Sequence, residues 1–213
     1  MSLFQKKTVE HSLNFSLNKP LNLIIVGLGN LGDQYELTRH NIGFDCLNEL
    51  QLSQSEFTPW QNKKDLSCYI SSATFANTKV LLIKPTTLMN NSGRSVVDVL
   101  NYYKLPLKNL VVVHDDKDIA FGQIKSKLGG GSAGHNGIKS ISGLIGEDYW
   151  RIRVGINNEA YDTNQYDTAS FVLSKFTKTE QSKLSLLKRE VQNMLIEFIY
   201  RGNLVTETRN FLI

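Results

Sequence analysis

The chain has 213 residues, 41% of them hydrophobic, which suffices for one sizeable core but is short for two domains. Cys46 and Cys68 stand in unrelated segments without C-x-x-C spacing, so neither a disulfide framework nor a cysteine zinc site is supported, and a reducing, cytoplasmic compartment fits best. The net charge of +4 permits an anionic partner such as RNA without demanding one, and no apolar stretch approaches the length that crosses a bilayer.

Residues 1–20 hold no continuous apolar core of a signal peptide, and they are expected to be a disordered extension ahead of a domain over 21–213. Leu21 to Val26 reads as a strand that breaks into Gly27-x-Gly29-x-x-Gly32. Phe44, Leu47 and Leu50 then fall at helical spacing within Ile42 to Leu50. Leu66 to Ile70 and Lys79 to Ile83 read as two more strands, paired with each other, and Val96, Val97, Leu100 and Tyr103 mark the next helix. "LVVVH", residues 110 to 114, is nearly all apolar and suits a buried central strand. "DDKDIAFG" is expected to be a polar turn after it, "QIKSKL" a strand, and "GGGSAGHNG" the entry to a helix near Ile138 to Ile145. The strand "RIRVGI", an Asn-rich loop and a last helix with Leu184, Leu187, Val191, Leu195 and Phe198 on one face complete the chain. Alternating strands and helices favour an α/β sheet flanked by helices.

The glycine spacing matches a dinucleotide-binding fingerprint, but its surroundings do not. That fingerprint starts a helix inside the turn and places an acid at the end of a second strand about twenty residues later. Here the polar stretch "DQYELTRHN" follows, the apolar pattern resumes only at Ile42, and Asp45 and Glu49 fall within the helix. A tight turn at a strand end is the better reading, and it turns attention to Asn30, Tyr35 and His40, which can face a crevice.

Three histidines lie in loops or at strand ends. His114 follows three valines and reads as a strand-end residue tied to backbone, and His135 as a residue that shapes the glycine-rich loop, with substrate contact as its second reading. His40 lies in a wholly polar segment, and Asp115 or Asp118 would supply the carboxylate that fixes an imidazole tautomer and stabilises its protonated form. Asp118 reads as a turn cap, which leaves Asp115. No G-x-S-x-G elbow accompanies them and Ser132 stands in the wrong context, so a hydrolytic site would use water as its nucleophile. Asn30, Asn90 and Asn136 offer amides able to donate to a developing oxyanion without titrating. No histidines show H-E-x-x-H spacing, and neither a metal nor a cofactor is expected.

Taken together and in order, "VGLGNLGDQYELTRHNIG", "KPTTLMNNSG", "HDDKD", "KLGGGSAGHNGIKSI" and "RIRVGI" resemble the signatures of bacterial-type peptidyl-tRNA hydrolases, from about Leu21 to the last helix. The resemblance implies a single three-layer α/β domain with a mixed, mostly parallel twisted sheet and helices on both faces. It implies a cytoplasmic, monomeric enzyme that hydrolyses the ester between a peptide and the 3′-terminal ribose of tRNA, recycling tRNA released prematurely from ribosomes. By position, His40 would be the base that activates water and Asp115 its orienting partner. Asn30, Asn90 and Asn136 would hold substrate, water and oxyanion, Tyr35 would shape the crevice, and Met89 would line the peptide channel. Lys127 and Arg153 would meet the phosphates of the tRNA end. The chain departs from the family at Leu31, where proline is usual, and at Asp116 and Lys117, where a different acid and an apolar residue are usual. "GINNE", residues 155–159, lacks the family's second glycine and its proline. Loss of the proline is expected to loosen the turn that holds Asn30, and Lys117 to push nearby carboxylates toward ionisation. The alternative is a catalytically inactive RNA-binding relative of the same fold.

Overall fold

Leu23 and Ile25 face one apolar layer while Ile24 and Val26 face another, so the run Leu21–Gly27 is buried on both sides and forms β1 at the centre of a sheet. The computed structural model describes residues 21–163 and 167–211, and the expected extension over 1–20 lies outside them. The other strands are β2 (Gln61–Lys63), β3 (Cys68–Phe75), β4 (Thr78–Pro85), β5 (Leu110–Ala120), β6 (Gln123–Leu128), β7 (Trp150–Asn157) and β8 (Glu207–Asn210). They lie in the order β2-β3-β4-β1-β5-β7-β6-β8 in one 8-stranded sheet. The sheet is mixed, as expected. Its buried centre, β4-β1-β5-β7, is parallel, and antiparallel pairs flank it on both sides.

Helix α1 (Ile42–Ser53) covers one face through Ile42, Leu47 and Leu50, and α2 (Ser92–Tyr103) covers the other through Val96, Val99 and Leu100. Helix α3 (Asn136–Ile145) joins α2 through Ile138 and Ile141. After the short helices α4 (Glu159–Asp162), α5 (Thr168–Leu173) and α6 (Lys178–Gln181), the long α7 (Leu184–Arg201) joins α1. Helices on both faces make the three layers.

The structure moves two expected boundaries. Lys64–Leu66 is a 3-10 turn, and β3 begins only at Cys68. More consequentially, "DDKDIA" is no turn. It extends β5, with Asp115 paired to Val154 and Asp116 to Gly155 of β7 before the register slips and Ala120 meets Asn157. The first two acids of this stretch are not shed to solvent, since Asp115 and Asp116 are both buried against partners, while Asp118 is exposed. The strands β2 and β8 and the helices α4 to α6 were not anticipated, being short and largely polar or exposed, although Asn158, Asp167 and the Thr177–Glu180 capping box mark the starts of the three helices.

The glycines of the false fingerprint have steric tasks instead. Gly27 lies against the carbonyl of Gly43, so the end of β1 and the start of α1 touch backbone to backbone. Gly32 sits at φ 119, a conformation that an L side chain rarely adopts. Because a Cβ on Gly43 would lie 2.5 Å from both the Leu28 nitrogen and the Val113 oxygen, neither of which can swing away, Gly43→Ala forces helix and sheet apart. A loss of about 1–3 kcal/mol is expected, read as a lower urea midpoint at unchanged slope. An unchanged midpoint would show that the contact is not tight.

Candidate active site

A cleft of about 420 Å³ opens beyond the carboxyl ends of β1, β4 and β5, where an open α/β sheet presents loop side chains to a ligand. The turn after β1 supplies Asn30, Tyr35 and His40, the loop after β4 supplies Met89 and Asn90, and β5 supplies Asp115. His135 and Asn136 enter at the start of α3, and α5 covers the cleft with Thr168, Ala169, Val172 and Leu173.

Asp115 is buried at the floor. Its Oδ1 accepts from His40 Nδ1 at 2.8 Å and from His135 Nε2 at 2.9 Å. A carboxylate only accepts, so both of these ring nitrogens carry protons. His40 Nε2 is then the basic lone pair left for the cleft. His135 cannot play the same part, because its Nδ1 already accepts from the Ile138 N–H at 3.2 Å and caps α3. His114 donates from Nδ1 to the Asp115 carbonyl at 2.7 Å, tied to backbone as expected but within the strand rather than at its end. Its Nε2 is buried without a partner, and burial holds its pKa well below the ordinary value. Of the three imidazoles, His40 is the one placed to take up a proton.

Burial lowers the pKa of His40, the charge and hydrogen bond of Asp115 raise it, and the balance lies above the ordinary 6.5. Burial would lift Asp115, but His40 and His135 outweigh it and hold the carboxyl well below the usual range. The ligand atoms of His40, Asp115 and His135 lie within 4.8 Å of one another, as a metal site would need, and the hydrogen bonds to Asp115 account for that closeness.

The amide of Asn30 is oriented by its surroundings. Its Oδ1 accepts from the Met89 N–H at 2.9 Å, which turns Nδ2 toward the cleft. Asn41 clamps the same turn, accepting from the Asn30 N–H at 2.8 Å and donating to the Asn30 carbonyl at 2.9 Å. These two bonds replace the rigidity that Leu31 was expected to forfeit. Tyr35, Asn90 and Asn136 line the cleft from three sides, with Met89 buried beneath.

Lys127 and Arg153 do not reach this cleft. They line a separate hollow with Lys125, Ser126, Thr206, Thr208 and one acid, Glu207, formed where Lys125 on β6 stands opposite Arg153 on β7. Arg153 Nε donates to Asp116 Oδ2 at 2.7 Å, so the hollow is joined to the cleft floor through the neighbour of Asp115. Lys117 borders the cleft and pairs at 2.7 Å with Asp118, which lies inside β5 and caps no turn. Sequence reasoning missed Asn41 and gave His135 a loop-shaping role first and substrate contact second, with no link to Asp115. The available signal was the place of His135 directly before a helix start, where a side chain that accepts a hydrogen bond is favoured.

A sequence profile described as peptidyl-tRNA hydrolase matches residues 24–211. The peptidyl-tRNA hydrolase of Wolbachia sp. subsp. Brugia malayi is 44% identical over 189 residues, 89% of this chain and 99% of that one. That of Rickettsia bellii (strain RML369-C) is 47% identical over 158 residues, 74% of this chain and 83% of that one. A crystal structure of peptidyl-tRNA hydrolase from Acinetobacter baumannii superposes with a TM-score of 0.76 at 30% identity, over 86% of this chain and 90% of that one.

With Asp115 replaced by Asn, the charge that raises the His40 pKa is lost while the burial that lowers it remains. The His40 ring protons of Asp115→Asn are therefore expected to titrate at lower pH than those of the wild type by NMR. Titration at the wild-type pH or above would contradict the assigned pairing.

Proposed function

The chain belongs to the peptidyl-tRNA hydrolase family and hydrolyses the ester joining a peptide to the 3′-terminal ribose of tRNA, and we propose that His40 is the general base of that reaction. The observation that carries the reading is the 2.8 Å bond from His40 Nδ1 to Asp115, which commits one nitrogen to orientation and leaves the other basic and facing the cleft.

His40 Nε2 takes a proton from water as the water oxygen bonds to the ester carbonyl carbon, and Asp115 stabilises the imidazolium that results. The carbonyl oxygen becomes an oxyanion, and Nδ2 of Asn30 and the amides of Asn90 and Asn136 stand ready to donate to it and to the attacking water. Collapse breaks the bond to the ribose oxygen, which leaves with the proton held on His40, and a peptide carboxylate is released. Tyr35 shapes the entrance. Met89, with Val172 and Leu173 of α5, provides apolar walls suited to the peptide. No step here requires a metal or a cofactor.

Lys127 and Arg153 take the tRNA phosphates from outside the cleft, anchoring the acceptor end without reading its sequence. One chain supplies every group named, in keeping with a monomer. Cys46 and Cys68 are free and buried, in keeping with the cytoplasm, and among the described residues no helix is long and apolar enough to cross a membrane. The inactive RNA-binding alternative gains nothing from a site in which base, orienting carboxylate and amide donors are all in place.

The test is release of N-acetylated amino acid from N-acetylaminoacyl-tRNA. The wild type is expected to cleave it and His40→Ala to keep only the small residual rate that oxyanion donors and substrate binding supply. Asn30→Ala and Asn136→Ala should each lose about 10²–10³ in kcat, equivalent to about 2.7–4 kcal/mol of transition-state stabilisation. Wild-type rates in both asparagine variants would contradict the oxyanion assignment, and a wild type that binds the tRNA without cleaving it would restore the RNA-binding alternative.

A further inference from the structure

Arg39 directly precedes His40, and its side chain is 2% exposed. Its guanidinium forks onto Glu180, with Nη1 at 3.0 Å from Oε1 and Nη2 at 2.8 Å from Oε2. Nε reaches the Ser174 hydroxyl at 3.3 Å, and the group stands against the rings of Phe171 and Phe176, 4.6 and 4.8 Å from their centroids. Tyr161 extends the stack on Phe171 at 4.4 Å. The backbone joins too, since the Arg39 N–H donates to the Ser174 carbonyl at 3.0 Å and Thr38 forms a bridge with Lys175. Glu180 in turn accepts from the Thr177 N–H at 2.7 Å and from Asn158 Nδ2 at 3.0 Å, so one carboxylate gathers the caps of α4 and α6 onto Arg39.

A buried ion pair is weak evidence for stability, because removing both charges from water offsets most of their attraction. What this pair fixes is geometry. Arg39, His40 and Asn41 form a single 3-10 turn, so the anchor, the base and the clamp on Asn30 move as one body. Ser174, to which the anchor is bound, follows α5, the cover of the cleft.

We propose that Arg39 and Glu180 are a positioning pair for the hydrolysis, tying the turn that carries His40 to the cover of the cleft and so holding the imidazole against Asp115. This rests on His40 being the base. Neither residue lines the cleft, and a planar fork packed against two rings sets an orientation that a lysine ammonium does not.

Glu180→Gln and Phe176→Leu test the proposal with N-acetylaminoacyl-tRNA as substrate and urea unfolding as the control for stability. Misplacing the base should lower kcat of Glu180→Gln about tenfold to a hundredfold while KM stays within about twofold. Asp115 and His135 are the titratable groups that face His40. As the imidazole slips from Asp115, the acid limb of the kcat profile should move to lower pH, toward the ordinary histidine value, which loss of stability alone would not cause. A folded Glu180→Gln with wild-type kcat and an unmoved limb overturns the proposal while leaving the role of His40 intact. A His40→Ala with wild-type activity overturns both. Should Glu180→Gln fail to fold, Phe176→Leu decides. A lower kcat at unchanged KM supports the pair, and an unchanged kcat overturns it.

Discussion

One oxygen atom, Oδ1 of Asp115, joins three segments that are distant in the chain. It accepts from His40 in the turn after β1 and from His135 at the cap of α3, while the backbone of Asp115 belongs to the ladder with β7. A buried carboxylate without partners would be costly, and two N–H donors on one oxygen remove that cost by fixing both imidazoles. The tautomers follow from this single contact. His40 is left with a free lone pair because Asp115 takes its other nitrogen, and His135 is left with none because Ile138 takes the remaining one.

The arrangement depends on β5 running past its apolar half. Val111 to Val113 are buried by the central sheet, and the same strand then carries Asp115 and Asp116 into the cleft floor without a break in pairing. A turn at this point would leave Asp115 on a loop. A strand held between β1 and β7 gives it a fixed place, against which the His40 turn is pressed by the close approach of Gly27 and Gly43. Asp116, one residue on, carries the same rigidity to Arg153 and the basic hollow.

Much of this was legible in the sequence for particular physical reasons. Unbroken apolar runs such as Leu23 to Val26 have few readings besides a buried strand, and the helical spacing of Phe44, Leu47 and Leu50 fixes the helix that follows the His40 turn. Convergence of Asn30, Tyr35, His40, Met89, Asn90, Asp115 and Asn136 on one cleft agrees with the residues carried over by resemblance. The polar stretch "DDKDIA" misled because polarity was taken as exposure, whereas its first two acids are buried against histidines and an arginine supplied by other segments. His135 was undervalued for the same reason, since its partner lies 20 residues away. Placing Lys127 and Arg153 outside the cleft required the register of β6 on β7, which no local pattern reveals.

The central claim is that Asp115 acts through His40 rather than beside it. A double-mutant cycle on hydrolysis of N-acetylaminoacyl-tRNA, with His40→Ala, Asp115→Asn and the combined variant, measures that dependence directly. If the account holds, Asp115→Asn is costly in the wild type and nearly without effect once His40 is gone. If the two losses multiply in full, each residue has an independent role, and the carboxylate-imidazole pair is not the unit that drives the reaction.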